Sequence, residues 1–125
     1  MIENISAWNS PPDDGTTVTG LPFDFQFGGN SYVAGTILTI TSNGQMCFTP
    51  PSGNGYPLES LPSANYENCV HIWADLNPSA STFGSITYGT SGTAPNRLFI
   101  LDFTDIYYFG TTTPLSLQLV LHEGT

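Results

Sequence analysis

Large apolar residues recur at every second position in three separate stretches of this chain, a period that fits strands with one buried face and does not fit a helix. Leu21, Phe23, Phe25 and Phe27 sit around Pro22, Asp24 and Gln26, and the run stops at Gly28-Gly29-Asn30. Leu115, Leu117, Leu119 and Leu121 alternate with Ser116, Gln118 and Val120. Residues 97–108 place Leu98, Ile100, Asp102 and Thr104 on one side and Phe99, Leu101, Phe103 and Asp105 on the other. Two further β-rich runs, 36–41 and 45–48, are separated by Ser42-Asn43-Gly44. Asn-Gly between such runs predicts a tight hairpin, because its central residues tolerate positive φ.

The remaining segments fit the same plan. Residues 2–8 read as a short edge strand followed by the turn-forming cluster Ser10-Pro11-Pro12-Asp13-Asp14-Gly15, so that residues 1–15 form an N-terminal strand and linker. Residues 49–64 hold four prolines and predict an irregular connection, with a brief helical turn or loop at 61–66. Residues 68–76 read as a central strand stopped by Asn77-Pro78, and 85–90 as a strand leading into 97–108.

With seven or eight strands, no amphipathic helix and no internal repeat, the chain is expected to form one all-β domain over residues 1–125. The natural architecture is an antiparallel two-layer β-sandwich with jelly-roll or Greek-key connections, a closed barrel being the second choice. Glu123-Gly124-Thr125 follows a good strand at a turn-like glycine, so a last strand is expected to be missing or donated by another chain, leaving an open sheet position.

Composition narrows the partners. Ten acidic residues stand against one basic residue, Arg97, with no lysine and a net charge of −9. Nucleic acid and anionic membrane surfaces both need clustered cations, so neither is expected as a partner. Nor does any apolar run approach a membrane span, and the first residues lack the basic and apolar regions of a signal peptide. Cys47 and Cys69 are too few for a disulfide scaffold; one bridge or two buried thiols both remain open.

Several motifs in order resemble the nidogen-like extracellular domain, in the version found in bacterial secreted and cell-surface proteins. They are residues 20–32 (GLPFDFQFGGNSY), Thr41-Ser42-Asn43-Gly44, Trp73-Ala74-Asp75-Leu76-Asn77-Pro78, Gly92-Thr93-Ala94-Pro95-Asn96-Arg97 and Leu121-His122-Glu123-Gly124-Thr125. The resemblance covers most of the chain. It implies an all-β, non-catalytic module used in adhesion or surface architecture. Two departures stand out: the family often carries two acidic residues after the tryptophan, where this chain has Ala74-Asp75, and it usually continues with a strand beyond the Glu-Gly turn.

Candidate chemistry is sparse. His71 and His122 fall in no nucleophile elbow, zinc spacing or other catalytic signature, and His71 reads as a packed strand residue, so no enzymatic activity and no cofactor are expected. Arg97, as the sole strong cation, is expected to pair with Asp75 or Asp102. Calcium, if bound, would take oxygen ligands from Asp75, Asn77 and Asp105, with Asp102 beside Asp105; Asp13-Asp14-Gly15 is a further acidic set that a turn already explains. Tyr56, Tyr66, Tyr107 and Tyr108 offer flat amphipathic rings for a ligand such as a glycan, although core or interface packing is the favoured account of them.

The expected function is therefore interaction or assembly. The leading expectation is a non-enzymatic module of an extracellular or surface-exposed protein, partnered by protein and by copies of itself. A phage or virus structural subunit in a virion and a carbohydrate-binding module are the alternatives.

Overall fold

The structure, a computed structural model, describes residues 3–56, 63–73 and 75–124, with Glu3 and Asn4 described by backbone alone. It is a two-sheet β-sandwich, not a closed barrel. The strands are β1 Glu3–Ala7, β2 Thr16–Gly20, β3 Phe25–Phe27, β4 Asn30–Tyr32, β5 Ile37–Thr41, β6 Gln45–Cys47, β7 Cys69–His71, β8 Leu76–Asn77, β9 Ser85–Ser91, β10 Leu98–Tyr108 and β11 Pro114–His122. One sheet has the order β1-β9-β10-β11, with β8 also paired to β10, and the other the order β2-β5-β6-β7; β3 and β4 form a separate two-stranded ribbon. Every pairing is antiparallel.

The core lies between the sheets. Leu38, Ile40 and Met46 of one meet Ile86, Phe99, Leu101, Phe103, Ile106 and Leu121 of the other, all buried. Each such side chain contributes about 1.5–3 kcal/mol relative to exposure, so the apolar alternation is the main force holding the layers together.

The first periodic run is divided where one strand was expected. Leu21 and Phe23 are buried in the sandwich, but only Phe25–Phe27 is extended, and it turns back through Gly28 and Gly29, with φ of 60° and 82°, into β4. Positive φ at both central residues is the geometry of a two-residue hairpin and favours glycine. Phe25, Phe27 and Tyr32 then stack on Phe48 at 5.8, 4.9 and 4.8 Å between ring centroids. The period persists because the ribbon closes the same core from one end.

The expected central strand 68–76 is divided too. β7 belongs to one sheet and β8 to the other, and the chain crosses between them through Ile72, Trp73 and Asp75, the last with φ of 56°. A bend that switches sheets is a standard corner of a sandwich. In β10 the alternation holds to Phe103, and a bulge then inserts one residue before Ile106. Asp105, expected on the side of Phe103, is consequently exposed with φ of 52°, and Ile106 returns to the core. Residues 2–8 do supply an edge strand, which pairs with β9 of its own chain. Of the turn expected at 61–66, a 3-10 turn spans Ala64–Tyr66, while residues 61 and 62 lie outside the described residues.

Candidate functional site

The expected hairpin turn Ser42-Asn43-Gly44 joins β5 to β6 and is also a polar centre for the surrounding loops. Ser42 Oγ accepts from Gly15 N at 2.9 Å and donates to Asp13 O at 2.8 Å. Asn43 Nδ2 donates to Asp14 Oδ1 and to Asn54 O, both at 2.9 Å. Gly44 O accepts from Ile72 N and Trp73 N at 2.8 and 3.2 Å. Gly44 has φ of 106°, a conformation that side chains strain, and a Cβ there would crowd the Trp73 backbone at 3.2 Å. Next to it Gln45 takes the Thr41 hydroxyl on Oε1 and donates from Nε2 to Trp73 O. Thr41, Ser42, Asn43 and Gln45 are all buried. Polar side chains reach such burial only when their hydrogen bonds are replaced, and here Asp13 O, Gly15 N, Asn54 O, Trp73 O and the Asp14 carboxylate replace most of them.

The Asp14 carboxylate stands at this turn, held by Asn43. Burial, with the neighbouring charges of Asp14 and Asp75, pushes the Asp13 carboxyl above its ordinary value. Among the described residues no three His, Cys, Asp or Glu side chains form a ready-made metal cluster. Of the expected set Asp75, Asn77 and Asp105, Asn77 Oδ1 caps the 3-10 turn Pro78–Ala80, accepting from Ser79 Oγ and Ala80 N, and Asp105 sits on the β10 bulge with its amide bonded to Ser116 Oγ.

The ion pair departs from expectation. Arg97 holds Glu123, not Asp75 or Asp102: Nε reaches Oε1 at 2.8 Å and a terminal guanidinium nitrogen reaches Oε2 at 2.7 Å. The register explains the choice, since Leu98 pairs with His122 and the next residues outward are Arg97 and Glu123. The guanidinium also lies 5.7 Å from the Phe23 ring centroid. Asp102 accepts instead from Gln118 Nε2 across the same two strands.

Cys47 and Cys69 are opposite each other in β6 and β7 and are joined by a disulfide. Tyr66 is buried, and its hydroxyl accepts from Gly55 N at 3.0 Å, so this ring holds the 53–55 loop. Tyr107 is half-buried and its amide donates to Ser81 Oγ. Tyr56 and Tyr108 are exposed, at 52% and 41%. His71 packs edge-on against Tyr66 in a groove of about 790 Å³ that Phe27, Asn30, Glu67 and Asn68 also line. Burial lowers its pKa. Neither Asp75 nor Asp105 reaches that groove to pair with it as acid or base.

One outer edge of the larger sheet is β11, whose one strand partner among the described residues is β10. Its nine residues PLSLQLVLH include no Lys, Arg, Asp or Glu. Edge strands are commonly guarded by such charges, and this one has only Pro114 at its start.

These features define an all-β, two-sheet module stapled by one disulfide, with its polar residues spent on holding loops. Residues 3–125 match the family described as NIDO related, and the chain belongs to this nidogen-related family. No curated protein and no solved structure matches it. Among the described residues no helix is long and apolar enough to cross a membrane.

Proposed function

We propose that this domain is a non-enzymatic extracellular interaction module that binds protein, in the first instance copies of itself, by strand addition at β11. The observation that carries this reading is the β11 edge: nine residues long and without a charged side chain in a protein of net charge −9. An edge of this kind offers a row of backbone donors and acceptors together with alternate side-chain positions, which is what strand addition uses. The family and the disulfide both favour an oxidising, extracellular setting over a virion.

Light scattering over a range of protein concentrations, with hydrogen exchange read at residues 114–122, tests the reading. A defined oligomer whose β11 amides are protected, and which Val120→Lys dissociates, is the expected result. A monomer at every concentration with β11 exchanging as a bare edge would overturn self-assembly.

Carbohydrate binding is the second reading, favoured by the exposed rings of Tyr56 and Tyr108. Glycan-array binding lost in Tyr56→Ala or Tyr108→Ala supports it, and no binding to any glycan removes it.

A further inference from the structure

One hydrogen bond at the mouth of the β10-β11 hairpin fixes which way the backbone of β11 faces along its whole length. Glu123 N donates to Arg97 O, the residue directly across from it. Directly bonded residues recur at every second position of an antiparallel ladder, so Leu121, Leu119 and Leu117 turn their N–H and C=O groups towards β10. Ser116, Gln118 and Val120 turn theirs the other way, to an edge that no strand meets among the described residues. At the bulge the Asp105 amide donates to the Ser116 hydroxyl, in keeping with a Ser116 backbone that faces outward.

The side chains alternate with the same period. Leu115, Leu117 and Leu119 pack against the core yet are only half-buried, while Ser116 and Gln118 are exposed on the opposite face. This row is its own complement. Gln118 is the middle residue of Pro114–His122, with leucines one and three positions away on either side. A second β11 laid antiparallel, Gln118 against Gln118, pairs Ser116 with Val120 of the second copy through their outward backbone groups. Leu117 then meets Leu119 and Leu115 meets Leu121 in the intervening pairs, where Cα atoms approach to about 4.5 Å and side chains are closest. The half-exposed leucines are covered in this way. An axis at Val120 would pair only residues 118–122 and set Leu117 against Glu123 of the second copy, beside the turn where Gly124 has φ of 82°. The net charge of −9 does not oppose the contact, because β11 holds no acid. Asp102 stands opposite Gln118 on β10, so it and its copy would be three strand spacings apart, about 14 Å, beyond the screening length of about 8 Å at physiological salt.

We propose that two copies of this chain pair through β11 about a two-fold axis at Gln118, joining their larger sheets into one. The proposal rests on the strand addition at β11 put forward above and adds its register, its symmetry and its stopping point. Pairing consumes β11 of both copies, so the contact is closed and growth ends at the dimer. The outer edges left to the joined sheet are the two β1 strands, which are short and irregular between Glu3 and Ser6, a form that discourages further pairing.

Cysteine cross-linking under mild oxidation, read on non-reducing gels beside light scattering, tests the register. Gln118→Cys should give a covalent dimer, since directly bonded residues stand about 5.5 Å apart at Cα, within reach of a disulfide. The dimer should form about tenfold faster than with Thr104→Cys, an exposed position outside β11, because thiols held in one complex meet at high effective concentration. Ser116→Cys and Val120→Cys should each fail to cross-link alone and should cross-link to one another once mixed. Light scattering of the parent chain should show a dimer and nothing larger. A cross-link with Val120→Cys alone would overturn this register and leave strand addition standing. An oligomer with protected β11 amides in which Gln118→Cys reacts no faster than Thr104→Cys would do the same. A monomer at every concentration would remove both.

Discussion

Arg97 and Glu123 meet across the mouth of the β10-β11 hairpin through both the guanidinium and the main chain: Glu123 Oε1 accepts from Arg97 Nε and from Arg97 N, and Glu123 N donates to Arg97 O. The side chains are 32% and 16% exposed, so water screens part of the attraction and the pair acts as a clasp on the hairpin more than as a core contact.

This clasp has a pH signature. Hydrogen bonding to Arg97 holds the Glu123 carboxyl at about 2, against an ordinary 4.5. A carboxylate whose folded pKa is depressed adds stability above its unfolded pKa and loses it as pH falls through the folded value. Glu123→Gln should therefore melt below the parent protein at pH 7, with the difference closing as pH is lowered from about 4.5 towards about 2. A difference that stays constant over that window would show that the carboxylate charge is not what the clasp uses.

Reduction probes the cross-strand staple. Cys47 and Cys69 are 22 residues apart in sequence, and opening a loop of that length costs about 3 kcal/mol in chain entropy. Urea unfolding with and without reductant should show a loss of this order, and Cys47→Ala with Cys69→Ala should reproduce it without reductant. A loss below about 1 kcal/mol would mean that the reduced chain is already constrained there.

The Phe48 ring is the platform for three other aromatics and is itself buried. Phe48→Ala should destabilise the domain by about 3–5 kcal/mol in urea melts. Phe48→Leu keeps part of the volume and should recover about half of that. Equal losses in the two variants would indicate that ring stacking, not volume, is what the β3-β4 ribbon requires.

Loop 53–55 makes a graded prediction. Tyr66→Phe strands the Gly55 amide and should cost about 1–2 kcal/mol. Gly55→Ala should cost more, about 3 kcal/mol or above, because φ is 92° there and the added carbon would collide with Gln45 Oε1 and Asn43 Cβ. Chemical denaturation of the two variants side by side checks the order, and a milder Gly55→Ala would show that the loop can move away from the turn.

What could be read in the sequence and what could not divide along a physical line. The Leu115 to Leu121 alternation, the Asn43-Gly44 turn and the two-layer plan rest on local periodicity and turn chemistry, which a single strand or hairpin expresses by itself. The bend at Asp75 and the bulge at Asp105 do not: both place a non-glycine residue at positive φ, where tertiary packing overrides the local pattern that made 68–76 look like one strand. Charge and guanidinium geometry suit Asp75, Asp102 and Glu123 alike, and only the β10-β11 register, which places Arg97 beside Glu123, decides which acid stands opposite. Asn43, within the expected turn, gave no sign of its burial or of its hold on Asp14. Tyr66 could not be told from an exposed ring, as its position depends on a loop folding over the outer face of β5 and β6.

Glu3, Thr90, Phe99 and Leu121 form one row across the larger sheet, each paired with the next. Since β1 and β11 run in opposite directions, a pull applied at residue 3 and residue 122 acts at the same end of the sheet and across the strands, over a width of about 14 Å for three strand spacings. Load in that direction opens backbone hydrogen bonds one after another, like a zipper, and does not shear a whole ladder at once. Held by these two points, the domain would yield at low force and lengthen early, with the disulfide between β6 and β7 limiting how far the smaller sheet could follow.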